Sequence, residues 1–294
     1  MNKKIVAVTG GKGGTGKSFV ATNLAVLLAE YYSLVLADLD VEAPNDHILL
    51  GAGLSEEEPV DIMFPFIDYS KCIKCRACSN VCDTGAMLTS REGLPYIIPR
   101  LCSGCKSCYF VCPTRAIYMG RRIIGKTFKT NVNFNGSSFT LVTGMLNEGE
   151  EHTPPVVLRA KRRALSLDAD LYLVDTSAGT SNTVATAMDK SMLVIAVTEP
   201  TPLGLHDLDL ILHVADSMDI PEKWVVINKS GIGPEEKHQE IAEKHNAEIV
   251  ARIPYSKDVI DSYVKGTPIA VANPHSEISS IFRQLAEMVR EVIG

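Results

Sequence analysis

Gly10-Gly11-Lys12-Gly13-Gly14-Thr15-Gly16-Lys17-Ser18 follows the apolar run Ile5-Val6-Ala7-Val8 and precedes Phe19-Val20-Ala21-Thr22-Asn23-Leu24-Ala25. The order is strand, glycine-rich loop, helix. The loop fits G-x-x-x-x-G-K-[ST], with Gly11 and Gly16 as its glycines and Lys17-Ser18 as its end. Glycines let a chain aim successive N–H groups at one point, and the following helix adds the partial positive charge of its N-terminus. Residues Gly11, Gly13, Gly14, Thr15, Gly16, Lys17 and Ser18 are therefore expected to cradle phosphates. Lys17 is expected to reach the β- and γ-oxygens and Ser18 to ligate Mg²⁺.

Working outward, Leu34-Val35-Leu36-Ala37-Asp38 reads as a second buried strand ending in Asp38-Leu39-Asp40. Leu171-Tyr172-Leu173-Val174-Asp175 repeats the pattern of a buried strand with an acid at its end. Carboxylates at the C-terminal ends of parallel strands face the ligand crevice. Further strand patterns lie at Leu193–Thr198, Trp224–Lys229 and Ala251–Tyr255. The expected fold is α/β, a doubly wound and mostly parallel sheet.

Lys12 lies inside the loop, and with it the sequence resembles the deviant Walker-A ATPases, the family of MinD, ParA, the Mrp-type carriers and the nitrogenase iron protein. The resemblance implies a homodimer with ATP at its interface, in which Lys12 reaches the partner's nucleotide. It implies that Asp38 and Asp175 hold Mg²⁺ through water and that Asp40 orients the attacking water. Asn228 would read the adenine edge, with Pro254 also near the base. It implies switch segments at 38–45 and 175–180, with Ser177 where the family commonly has proline.

After about residue 62 the pattern changes. All eight cysteines lie between positions 72 and 112 in two copies of C-x₂-C-x₂-C-x₃-C. This duplication resembles a bacterial-type ferredoxin inserted into the ATPase. It implies domains at 1–62 (nucleotide-binding, first part), 63–120 (an inserted α+β ferredoxin-like module) and 121–294 (nucleotide-binding, second part). Each [4Fe–4S] cluster takes four thiolates, and in two-cluster proteins the fourth cysteine of each run serves the other cluster. One cluster should use Cys72, Cys75, Cys78 and Cys112, and the other Cys102, Cys105, Cys108 and Cys82. Zinc is the alternative metal, though zinc sites close with two ligand pairs. Asp83 after Cys82, where the second run has Pro113, should lower the potential of the nearby cluster.

Composition sets the outer limits. The chain has 294 residues, 46% hydrophobic, with a net charge of −6, which speaks against nucleic acid as a partner. No apolar run approaches the roughly 20 residues of a membrane span, and a signal peptide at the N-terminus would cost the phosphate loop. The expected location is cytoplasmic, with no stable membrane anchor. Asn135-Gly136 between alternating runs signals a hairpin, 148–155 reads as a mobile loop, and Arg159-Ala160-Lys161-Arg162-Arg163 reads as a solvated helix face. The C-terminal helix, with no lysine cluster, is expected to pack rather than bind membrane.

Three function classes remain open at this level. One is ATP hydrolysis coupled to electron transfer through two clusters toward a redox or metallocofactor-assembly partner. The second is a cluster carrier of the Mrp type, and the third a MinD-like positioning ATPase.

Overall fold

The computed structural model describes residues 3–134 and 136–294. Among these residues eleven strands run in chain order as β1 (Lys4–Thr9), β2 (Leu34–Leu39), β3 (Glu58–Ile67), β4 (Met87–Thr89), β5 (Pro95–Ile97), β6 (Ile117–Phe134), β7 (Ser137–Leu146), β8 (Leu171–Thr176), β9 (Leu193–Thr198), β10 (Glu222–Ser230) and β11 (Glu248–Pro254). The chain divides into two compact units. One comprises Met1–Glu57, Thr127–Met145 and Val157–Gly294, and the other Glu58–Lys126 with Leu146–Val156.

In the first unit the strand order is β11-β10-β9-β1-β8-β2-β7, and every pairing along it is parallel. All these strands therefore end on the same edge. From β1 the chain crosses to β2 on one side and later to β9 on the other. That makes β1 the point where the winding reverses, and ligands bind beyond the strand ends at such points. β1, β2, β8 and β9 are almost wholly buried, as expected of parallel strands covered on both faces.

The helix Lys17–Leu28 covers this sheet beside the C-terminal helix Glu277–Ile293, with the Phe19 and Phe282 rings edge to face at 5.2 Å. Ile278, Phe282, Leu285, Val289 and Ile293 of that last helix are buried, so it is a packed element. No helix among the described residues is long and apolar enough to cross a membrane.

The second unit carries β4 and β5 as a small antiparallel ladder, with Met87 opposite Ile97 and Thr89 opposite Pro95. Two short turns and two short helices alternate with it: Tyr69–Lys71, Ala77–Asn80, Pro99–Leu101 and Ser107–Phe110. The second turn and helix each stand 30 residues after the first, the same offset that separates Cys72 from Cys102. β3 neighbours β6, which begins in this unit and ends in the first.

Three expectations need correction or restriction. Residues 148–153 are irregular as expected, but Glu150 is paired with Arg122, its side chain only 12% exposed, and Pro154 and Pro155 already open the next helix. The basic run at 159–163 is not simply a solvated face, since Lys161 is buried and donates to the carbonyls of Thr186, Ala187 and Asp189 at 2.9, 3.0 and 2.6 Å. Arg163 donates to the carbonyl oxygens of Thr127 and Glu56 at 2.9 and 2.7 Å. Of the expected Asn135-Gly136 hairpin, Asn135 lies outside the described residues.

Candidate functional site

The glycine-rich loop leaves β1 at the centre of the parallel sheet and enters the helix at Lys17. Gly16 caps that helix in the left-handed region, at φ 102°, with no side chain on its N–H groups, so these donors face the space where an anion would sit. Only glycine suits this position, because a Cβ there would collide with the Asn228 amide. At Gly11 a Cβ would lie 2.5 Å from the Asp207 carbonyl oxygen, so glycine admits the neighbouring helix. Lys17 is buried, its ammonium 3.4 Å from the Lys12 carbonyl oxygen.

Lys12 is folded back within its own chain. Its ammonium pairs with Glu199, whose other carboxylate oxygen holds Lys229 at 2.9 Å. Lys229 in turn donates to the Gly14 carbonyl at 3.0 Å. Burial raises the Glu199 carboxyl, and the two lysines outweigh that and hold it below its usual range. Asn228 donates its amide N–H to the Thr15 carbonyl at 2.7 Å, which ties the end of β10 to the loop. Pro254 stands at the end of β11, in register with Ser230.

Parallel pairing of β2 with β8 sets Asp38 directly opposite Asp175. The Ser18 hydroxyl donates to Asp175 at 2.5 Å, and the Asp38 carboxylate accepts from the N–H groups of Asp40, Asn45 and Asp46 at 3.1–3.2 Å. A third acid joins them: oxygens of Asp38, Asp46 and Asp175 lie within 4.8 Å of one another. All three are fully buried. Burial raises all three carboxyls, that of Asp175 to about 7, with mutual repulsion adding to Asp38 and Asp46. Both Asp46 oxygens and one of Asp175 have no hydrogen-bond partner. Buried, unpartnered carboxylate oxygens beside a hydroxyl fit a hard divalent cation such as Mg²⁺. Asp40 is half-buried, and burial raises its carboxyl against the opposing charge of Lys17.

The sequence reading missed Asp46. It is eight residues beyond Asp38 on a four-residue helix, Asp46–Leu49, and no motif spacing marks it. Nor did spacing reveal Glu199 as the partner of Lys12. The segment after β8 is tied to the loop as well, through Gly179 N–H to the Gly10 carbonyl at 3.2 Å and Thr176 to the Thr9 hydroxyl at 2.9 Å.

In the second unit the eight cysteines are free thiols divided between two recesses. One recess is lined by Cys72, Cys75, Cys78 and Cys112. The other is lined by Cys82, Cys102, Cys105 and Cys108. Each recess takes three cysteines from one repeat and the fourth from the other. Among the described residues, the three aspartates form the sole group of three ligand atoms within 4.8 Å of one another, so no three of these sulfurs approach that closely. Tetrahedral zinc, with bonds of about 2.3 Å, would hold its sulfurs only about 3.8 Å apart. A four-iron cube spreads four sulfurs around its corners, and four thiols at each recess match that donor set. Backbone N–H groups of Met87 and Ala116 point at Cys82 and Cys112 at 3.3 and 3.2 Å, contacts that tune a cluster's potential. Burial raises the thiols of Cys78 and Cys102 and pushes Cys108 up to about 11.

Parallel strands that deliver a phosphate cradle and buried carboxylates to one edge place the chain among the P-loop nucleotide-binding proteins. It belongs to the CobQ/CobB/MinD/ParA nucleotide binding domain family, whose profile matches residues 6–269. It is 37% identical over 263 residues to an uncharacterized protein of Methanocaldococcus jannaschii, covering 89% of this chain and 90% of the relative. It is 25% identical over 309 residues to the iron-sulfur cluster carrier protein of Aquifex aeolicus, covering 99% of this chain and 68% of that one. Among solved structures it is similar to the septum site-determining protein MinD of Pyrococcus horikoshii complexed with Mg-ADP. The TM-score is 0.60 at 17% identity, over 99% of this chain and 98% of the other. At that identity the likeness speaks for the fold.

Proposed function

We propose that the chain is a Mg²⁺-dependent ATPase that couples its nucleotide state to electron transfer through two [4Fe–4S] clusters, toward a redox or metallocofactor-assembly partner. The observation that carries this reading is the division of eight cysteines into two recesses of four, each completed by the other repeat. An interlocked arrangement of this kind retains its clusters, as an electron carrier must.

In this reading residues 63–120, within the second unit, are a ferredoxin-like insert in a cytoplasmic protein. The loop from Gly11 to Ser18 holds the phosphates, Ser18 with Asp38 and Asp175 holds Mg²⁺, and Asn228 and Pro254 lie by the base. The metal supplies positive charge at the β- and γ-oxygens. Asp40 orients water for in-line attack. Lys17 stabilises charge on the transferred group, and Lys12, released from Glu199, does so across a homodimer. Each cluster supplies a one-electron store. The chain's part is to fix it by four thiolates and to set its potential through N–H groups such as those of Met87 and Ala116.

The similarity to the iron-sulfur cluster carrier protein favours a second reading, in which the clusters are cargo. One experiment separates the two. Anaerobically purified chain should contain about eight iron and eight sulfide per chain. Its midpoint potentials or EPR coupling should shift by tens of millivolts with Mg·ATP, and it should keep its iron when mixed with an apo-ferredoxin. Iron passing to the apo-ferredoxin would replace electron transfer by carriage. Absence of iron would end both readings.

A further inference from the structure

The two cysteine segments, aligned at their 30-residue offset, share three left-handed backbone positions. In the first these are residues 74, 76 and 85, at φ 58°, 64° and 66°. In the second they are 104, 106 and 115, at φ 73°, 69° and 53°. Glycine is the residue such positions favour, with Asn and Asp next. Glycine fills two of the six, Gly85 and Gly104. The other four are Lys74, Arg76, Lys106 and Arg115. Each long cation is therefore placed against the preference of its backbone, and local conformation does not account for it.

The surroundings point to a surface role. All four side chains are exposed, and among the described residues none enters an ion pair. Cys75 and Cys105 are the exposed cysteines, while Cys78, Cys102 and Cys108 are buried. Lys74 and Arg76 bracket Cys75 and line its recess; Lys106 follows Cys105 and lines the other. Each recess thus opens to solvent at a sulfur with a cation beside it. Exposed apolar side chains accompany them, Ile73 at 62% and Phe110 at 75%. The unit holds ten Lys and Arg against eight Asp and Glu, whereas the rest of the chain holds nineteen against twenty-seven.

We propose that these two cationic rims, at Cys75 and Cys105, are docking points for a redox protein whose electron-transfer face is acidic. The inference rests on the cluster reading above and adds the kind of partner. The apolar Ile73 and Phe110 suit a protein face rather than a small anion. The strongly negative remainder of the chain opposes a long polyanion such as nucleic acid.

The test uses the full chain with reconstituted clusters and, as probe, a flavodoxin, a small acidic flavoprotein. Binding is followed by titration calorimetry at about 0.02 M and about 0.2 M ionic strength, a range over which charge attraction is progressively screened. The expected dissociation constant rises at least tenfold with salt. The variant Lys74→Gly, Arg76→Gly, Lys106→Gly, Arg115→Gly removes the charge and leaves each backbone position to the residue that suits it. It should keep its iron and visible spectrum and lose binding at least tenfold at low salt. Salt-insensitive binding, no binding, or a glycine variant that binds as the parent does would overturn the proposal. So would flavodoxin silence together with tight, glycine-sensitive binding of a single-stranded oligonucleotide, which would reassign the rims. A preparation without iron would overturn the cluster reading and this one with it, whereas an iron-replete protein that ignores the flavodoxin overturns this one alone.

Discussion

Glu199 holds Lys12, 187 positions away in sequence, and the same carboxylate holds Lys229. A lysine that is to reach a partner's nucleotide must first leave this pair. The Lys12 side chain is 26% exposed and that of Glu199 8%, so the pair is partly screened and contributes on the order of 1 kcal/mol. Glu199→Gln keeps the shape and weakens the hold. We expect it to strengthen ATP-dependent dimerisation roughly fivefold, measured by sedimentation with a non-hydrolysable ATP analogue. Lys12→Ala should abolish both dimerisation and turnover with clusters intact. Weaker dimerisation in Glu199→Gln would mean that the carboxylate supports the dimer instead.

Asp46 is the acid that brings the buried cluster to three, and both its oxygens are without partners. In the metal-free chain it adds repulsion to Asp38. Asp46→Asn should therefore raise the thermal stability of the metal-free protein by about 1–2 kcal/mol. The same change should weaken Mg²⁺-dependent nucleotide binding by about tenfold, the usual penalty for losing a supporting group at a metal site. Calorimetry with ADP, with and without Mg²⁺, reads both effects. Unchanged Mg²⁺ dependence would remove Asp46 from the site.

What the sequence disclosed and what it concealed differ in kind. The loop from Gly11 to Ser18, the acids ending β2 and β8 and the two cysteine runs are local patterns, because a strand end or a turn fixes their geometry within a few residues. The parallel sheet followed from short apolar runs joined by helical periods. Asp46, the Lys12–Glu199 pair and the buried ammonium of Lys161 depend on segments brought together by the fold, and no spacing encodes them. Leu146–Val156 belongs to the second unit although its polar composition reads as linker; the Glu150–Arg122 pair that holds it is a long-range contact.

Lys161 offers a test by pH. Burial pushes its ammonium down to about 8, against an ordinary value near 10.4. Between those values the unfolded chain binds more protons than the folded one, so stability from this group rises with pH across roughly 8 to 10.4. Below 8 both states are charged and the burden is constant. Lys161→Met should cost about 2 kcal/mol at pH 7, because three carbonyls lose their donor. The gap between parent and variant should widen by on the order of 1 kcal/mol between pH 8 and 10 in urea titrations. A constant gap would show that the three carbonyls hold the charge fully compensated.

The second unit has little apolar material of its own. Its interior groups Cys78 and Cys108 with Met87 and Ile117, and Cys102 with Phe64 and Ala86. Half of one group's buried residues are cysteine sulfur carriers, set around the two recesses. A unit this small buries too little apolar surface to be held by packing alone. Metal binding should then supply folding free energy to this unit alone. Anaerobic oxidation with chelation is expected to strip the iron and expose 63–120 to protease, with at least a hundredfold faster cleavage there. The nucleotide-binding unit has its own core of Val6, Leu36, Leu173 and Phe282, so Mg·ADP should still bind and protect it. Mass analysis of the fragments locates the cuts. An iron-free chain that resists cleavage throughout would show that the cysteine unit folds on packing alone.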